Sequence, residues 1–214
     1  MSSTLTPDPG TLRTRPSRDR VRADLLAAAR TTFLAKGYGA SSVAAIAADA
    51  GYTKGAVYSN FGSKEELFAE VCRLEFTTTT HRLLSELLAA TDRQARDGND
   101  QLSDEAADRL ASLVTTQGDL QTAAGEFRSL AQHSTEASDI YAALRHDQID
   151  LLTVEFARQG FLGDDAAPDA HREAAVLLLV TINAFALEHR AAPSTFPPQL
   201  LVSTLARLIR GLLP

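Results

Sequence analysis

Apolar residues recur at three- and four-residue steps through most of the chain, and the punctuation between the runs predicts a succession of helices. From Arg18, the series Val21, Leu25, Ala28, Ala29, Phe33 and Leu34 predicts a first helix that ends on Lys36 and Gly37, a basic last turn followed by a glycine stop. Ser41 and Ser42 offer an N-cap for a short helix from Val43 to Ala50, with Val43, Ile46, Ala47 and Ala50 inward and Gly51 at its end. Thr53 caps the next helix, Lys54 to Asn60, which Phe61 and Gly62 close.

Ser63, with Glu66 three residues later, has the spacing of a capping box, and Glu65 and Glu66 suit the positive end of a helix dipole. Leu67, Phe68, Val71, Leu74, Leu84, Leu87 and Leu88 carry that helix to about Ala90, although the four β-branched residues Thr77 to Thr80 weaken its middle. Residues 91–102 are polar and read as a loop. Further helices are expected from Ser103 to Gly118, from Asp119 to about Ser134 around Leu120, Phe127 and Leu130, and from Ala137 to Gln159. Pro168 suits the first turn of a helix reaching about Arg190, and Pro193, Pro197 and Pro198 separate it from a last helix, Gln199 to Leu213. No strand-like alternation of useful length occurs, so the fold class is all-α.

With 214 residues, 44% hydrophobic and 22% charged, the chain is long and apolar enough for one large domain or two small ones. Its net charge of −6 reads against a nucleic-acid binder, because phosphates are neutralised by clustered Lys and Arg. Resolved along the chain, the picture reverses: residues 1–64 hold nine Lys and Arg against four Asp, a balance of +5, and the remainder holds 12 against 23, a balance of −11. A basic head on an acidic body points to a polyanion partner. Residues 1–17, with three prolines, Arg13 and Arg15, read as a flexible basic arm that Arg18 and Arg20 continue.

Cys72 is the single cysteine, the five histidines are scattered, and no paired spacing suggests a metal site, so no cofactor is expected. The longest nearly apolar run, Ala174 to Leu187, has 14 residues and includes Thr181 and Asn183, short of a membrane span, and no signal-peptide core precedes residue 18. A cytoplasmic location with no membrane contact is expected. G-x-S-x-G, P-loop, H-E-x-x-H and Rossmann glycine patterns are all lacking, which argues against an enzyme.

Ala47, Gly51 and Val57 have the spacing of a helix-turn-helix: a small residue at the crossing, a glycine in the turn and an apolar pin on the second helix. With Val57 and Phe61 inward, Thr53, Lys54, Gly55, Ala56, Tyr58, Ser59 and Asn60 form an outward surface of small and donor side chains, suited to a groove floor and to phosphates. Residues 27–71 resemble the tetracycline-repressor-like (TetR) transcriptional regulators. The resemblance is carried by Phe33, Lys36-Gly37-Tyr38, Ile46-Ala47, Ala50-Gly51, Thr53 to Tyr58, Phe61 and Ser63 to Leu67. It implies an N-terminal three-helix helix-turn-helix DNA-binding domain over 18–63 and a C-terminal helical ligand-binding and dimerisation domain over 64–214. It places Thr53, Lys54, Gly55 and Ala56 nearest base edges of a double-stranded DNA operator, with Ser42, Tyr52, Tyr58, Asn60 and Lys64 at phosphates.

The resemblance also implies a homodimer built on the last two long helices, for which Leu178, Ile182, Phe185, Leu201, Leu205, Leu208 and Leu212 are the candidate contacts. It implies a small-molecule effector bound in the body and releasing a palindromic operator. The candidate lining is Phe76, His81, Phe127, His133, Tyr141, Arg145, Phe156 and Asn183, which mix aromatic walls with polar handles. A helical adaptor without ligand control is the alternative, separable by a salt-sensitive shift on DNA.

Overall fold

Each of the first three helices begins at a side chain that accepts a hydrogen bond from an otherwise orphaned backbone N–H. Ser17 accepts from Arg20, Ser42 from Ala45 and Thr53 from Ala56, at 3.2, 3.2 and 3.3 Å. Such caps contribute about 1 kcal/mol each. They open α1 (Arg18–Lys36), α2 (Val43–Asp49) and α3 (Lys54–Phe61). In this computed structural model the described residues are 16–97, 112, 118–160, 162, 167, 169–201 and 203–204. Among them, the longer helices that follow are α4 (Lys64–Asp97), α5 (Gly118–Ala131), α6 (Thr135–Arg158) and α7 (Ala170–Ala191), and no strand is present.

Helices α1, α2 and α3 close around Leu25, Ala29, Ile46, Ala47 and Val57, all essentially inaccessible to solvent. Helix α4 packs on α1 and α3 at its start and on α6 further along, so one rod belongs to both the head and the body. Helix α5 touches α1 as well as α6 and α7, and α6 and α7 pack along each other. Head and body therefore share a core. Its centre is a group of rings: Phe68 lies 5.0 Å from Phe33, 5.0 Å from Tyr38 and 5.2 Å from Phe127, centroid to centroid, mostly edge to face. Tyr38 closes the group at 5.1 Å from Phe127.

Several boundaries differ from the sequence reading. Residues 91–97, read as loop, continue α4, since polar Asp, Arg and Gln cost a helix little when no glycine or proline intervenes. The threonine run is absorbed as well: the hydroxyls of Thr77 and Thr78 donate to the carbonyls of Arg73 and Leu74, each 2.9 Å. Gly118, read as a helix end, begins α5. Helix α6 starts two residues earlier than expected because Ser134 caps it through the Ala137 N–H. Residues 198–201 are helical, where the last helix was expected to begin. The arm up to residue 15, nearly all of the helix expected from Ser103 to Gly118, Pro168 and Leu205, Leu208 and Leu212 lie outside the described residues, as do the side chains of Leu84, Leu87 and Leu88.

By length and composition α7 could cross a bilayer. In the fold it packs on α5 and α6 instead, burying Ala174, Ala175, Leu178, Leu179 and Ala186. Because Phe68 is fully buried against three rings from other segments, Phe68→Ala should cost about 3–5 kcal/mol of unfolding free energy, measured by urea denaturation. A loss below about 1 kcal/mol, the level of a surface change, would contradict the shared core.

Candidate nucleic-acid interface and cavity

The turn between α2 and α3 is fixed by backbone bonds, Gly51 N–H to Ala48 O at 3.0 Å and Tyr52 N–H to Ala47 O at 2.8 Å. Gly51 sits at φ +78°, a left-handed conformation that glycine adopts without steric cost, although a Cβ there would meet open space. Ala47 is buried at the crossing and Val57 pins α3 from inside. The outward face of α3 then carries Thr53, Lys54, Gly55 and Tyr58, all exposed, with Ala56 partly so. A Cβ on Gly55 would touch nothing closer than Thr53 Oγ1 at 3.7 Å, so glycine there keeps the surface low rather than relieving a clash. Lys54 Nζ rests 5.5 Å from the centroid of the Tyr58 ring, which is 42% exposed. Both side chains are outward, and among the described residues neither pairs with a carboxylate.

Other predicted contacts sit differently. Ser42 is exposed at the α2 N-terminus with its oxygen engaged in the cap. Asn60, read as a phosphate donor, turns back: its Nδ2 donates to Ala56 O at 2.8 Å and its Oδ1 is buried without a hydrogen-bond partner. It sits at the C-terminal turn, where a short amide reaches its own helix more readily than solvent. The Tyr52 hydroxyl donates to Asp24 Oδ2 at 3.0 Å. Lys64 Nζ lies 4.2 Å over the Tyr38 ring, and desolvation lowers its pKa against the opposing pull of Glu65 and Glu126. Tyr52 and Lys64 thus brace the fold at positions read as phosphate contacts.

Arg22 went unnoticed in the sequence. Its Nη1 donates to the Asn60 carbonyl at 2.9 Å, its Nη2 pairs with Glu70 at 3.2 Å, and its guanidinium covers the Phe61 ring at 4.4 Å. One side chain of α1 therefore ties the end of α3 to α4, and nothing in local spacing marks it.

In the body, α4, α5, α6 and α7 enclose a cavity with about 70 Å³ open to the centres of water molecules. Phe76, Phe127, Tyr141, Arg145 and Asn183 line it as expected, joined by Cys72, Thr79, Thr80, Gln121 and Gln148. Three expected lining residues are elsewhere. His81 is exposed on α4, 4.0 Å from Glu155, His133 is exposed in the turn after α5, and Phe156 is buried outside the cavity wall. Burial pushes the Cys72 thiol up to about 12, which makes it an inert wall at neutral pH. Among the described residues no three His, Cys, Asp or Glu side chains gather as a metal site.

The expected dimer contacts that are described have neighbours within the chain. Leu178 is buried on the cavity wall and Ile182 lines it too, while Phe185 packs within the chain on His189 and Phe196, and Leu201 is buried. The outward apolar face of α7 is instead Val176, Leu177 and Val180, the last 61% exposed, with Leu200 exposed beyond the following turn.

Two features join cavity and head. Phe68 and Phe127 line the cavity and also form the ring cluster with Phe33 and Tyr38. On α5, which contributes Leu120, Gln121, Ala124 and Phe127 to the wall, Glu126 reaches the loop after α1 and accepts the Gly39 N–H at 2.7 Å.

Residues 25–71 match the family described as bacterial regulatory proteins, tetR family. No functionally curated protein matches the sequence. Solved structures share the fold across nearly the whole chain. A TetR transcription regulator from Haloarcula marismortui is 17% identical, covering 92% of this chain and 100% of its own, with a TM-score of 0.58. The fatty acid degradation regulator FadR from Bacillus halodurans is 19% identical over 88% and 97%, TM-score 0.56. A candidate transcriptional regulator from Saccharomonospora viridis, solved in complex with choline, is 16% identical over 90% and 96%, TM-score 0.55. At these identities the likeness is one of fold.

Beside the turn, Arg20 Nε bonds both oxygens of Asp24 at 3.0 and 3.1 Å, and the Tyr52 hydroxyl adds a third bond. Arg20 first and Tyr52 second hold the Asp24 carboxyl below its ordinary value. Stability from a lowered carboxyl pKa is present above the unfolded-chain value of about 4 and is lost as pH falls through the folded one. The urea midpoints of the wild type and Asp24→Asn should therefore converge as pH is lowered from about 5 to 2. A constant gap would mean that the charge of Asp24 contributes nothing.

Proposed function

We propose that this chain, whose residues 25–71 match the family described as bacterial regulatory proteins, tetR family, is a cytoplasmic dimeric transcriptional repressor that binds a palindromic double-stranded DNA operator and is released by a small-molecule effector. The observation that carries the reading is the outward face of α3. Lys54 and Tyr58 project from a low surface made by Gly55 and Ala56, on a helix held by its Thr53 cap, the Gly51 turn and the Arg22 tie. Small residues let a recognition helix approach base edges closely, and the flanking donors reach phosphates. The +5 balance of residues 1–64 supplies the field for that approach.

The exposed apolar face of α7 supports dimerisation. Val176, Leu177 and Val180 stand in water in the isolated chain, on a helix whose other side is already covered, and burying such a patch against a second copy is the usual relief. A two-fold pair of heads would then read two half-sites. Effector control is supported by the cavity and its two links to the head, the ring cluster and Glu126. An occupant that moves α4 or α5 shifts the heads, and lowers operator affinity by as much as it prefers the moved state.

On DNA flanking its own coding region, Lys54→Ala and Tyr58→Ala should each weaken binding by about five- to a hundredfold, read by fluorescence anisotropy at fixed salt. Unchanged affinity in both variants would remove α3 as the reading helix. Val180→Asp should shift the protein from dimer to monomer in sedimentation analysis, and a variant that stays dimeric would place the interface away from α7.

A further inference from the structure

Among the described residues, the cavity wall includes one formally charged side chain and no opposing charge. None of the lining residues is Asp, Glu, Lys or His, and one, Arg145, is arginine. Its Nε donates to the Tyr141 hydroxyl at 2.9 Å and its Nη1 to Gln148 Oε1 at 2.8 Å, two neutral acceptors on the same helix that hold the guanidinium in place. Among the described residues these are its only side-chain hydrogen bonds, and the guanidinium lies 5.0 Å from the centroid of the Tyr141 ring. The carboxylates on neighbouring turns are committed elsewhere, Glu75 to Arg30 and Asp147 to Arg73. Neutral hydrogen bonds and a ring face leave the positive charge of a half-buried guanidinium without a counter-charge in the wall, and its planar fork matches a carboxylate in two parallel hydrogen bonds.

We infer that the cavity takes an amphipathic monoanion, a carboxylic acid whose head seats on Arg145 and whose apolar body lies among Phe68, Phe76, Leu120, Phe127, Leu152 and Ile182. The inference rests on the reading of this cavity as the effector site. One positive charge suits one negative charge, so a polyphosphate is left undercompensated. An ammonium compound meets a guanidinium and no carboxylate. The remaining polar wall, including Thr79, Thr80 and Gln121, can bond an anion or a neutral group and sets no sign.

The test uses the full chain and five probes in isothermal titration calorimetry: octanoate, 4-phenylbutyrate, their two primary amides and octyltrimethylammonium. An ionic hydrogen bond is worth about one to two decades of affinity, so at least one acid should bind about tenfold or more tightly than its amide and than the ammonium. Arg145→Gln should bring acid and amide within about twofold, and Arg145→Lys should keep the preference for the acid at reduced strength. The acid-to-amide ratio in the unaltered protein decides the matter even if a variant folds poorly, and circular dichroism reports that. Equal binding of amide or ammonium, binding by none of the five, or an undiminished acid preference in a folded Arg145→Gln would each overturn the anion site. Operator affinity measured with saturating acid separates the two readings. Tight acid binding with unchanged operator affinity keeps the anion site and overturns effector control, whereas release by the amides or the ammonium without any acid preference does the reverse.

Discussion

Where α1, α4 and α5 meet, the rings of Phe33, Tyr38, Phe68 and Phe127 fill one another's edges and faces, and they join the head to the body. Close-packed rings have few alternative arrangements, so displacement of one helix there requires a discrete repacking rather than a gradual slide. Tyr38 is fastened at its far end too, donating to Glu65 at 2.7 Å, and burial raises its phenol pKa so that it stays a donor throughout the physiological range. The cavity wall and the packing of the N-terminal head therefore share side chains, Phe68 and Phe127, and a displacement of one reaches the other without a long route.

The acidic excess of the body has little to do with holding it together. Arg73 with Asp147, Arg172 with Asp150 and Arg190 with Asp119 are short pairs between side chains that are exposed or, for Arg73, half-buried, and pairs so open to solvent contribute about 1 kcal/mol or less each. The excess acts at longer range. On the proposed reading, a −11 body repels an approaching duplex and a +5 head attracts one, so encounters in the productive orientation are favoured before any contact forms.

The head was legible because its signals are local. Ser42, Thr53 and Ser63 cap helices three residues away from their partners, and Gly37, Gly51 and Gly62 end them at positive φ. The body was less so. Helix α7 is apolar nearly all round, so periodicity could not tell that Leu178 and Ile182 face inward while Val176 and Val180 face out. His81 and His133 looked like polar handles, yet beside Tyr141, Arg145 and Asn183 the cavity takes further polar atoms from Thr79, Thr80, Gln121 and Gln148, residue types that read as a solvated face until neighbouring helices cover them. Arg22 shows the same limit in the head, since its use depends on two other helices, whereas Asn60 turns back onto its own.

The grip of Glu126 on the loop after α1 has an evolutionary side. A Cβ built on Gly37 would lie 2.8 Å from both carboxylate oxygens of Glu126, and the residue sits at φ +79° besides. Positions 37 and 126, far apart in the chain, are thus coupled: a side chain at 37 displaces the flexible end of Glu126 from the Gly39 N–H, on top of the strain of the positive φ. A lineage can shorten the glutamate while keeping the glycine, but a side chain arriving first at 37 meets both the carboxylate and a backbone that disfavours it. The order in which these two sites can change is set by geometry, and the glycine is expected to be the later to go.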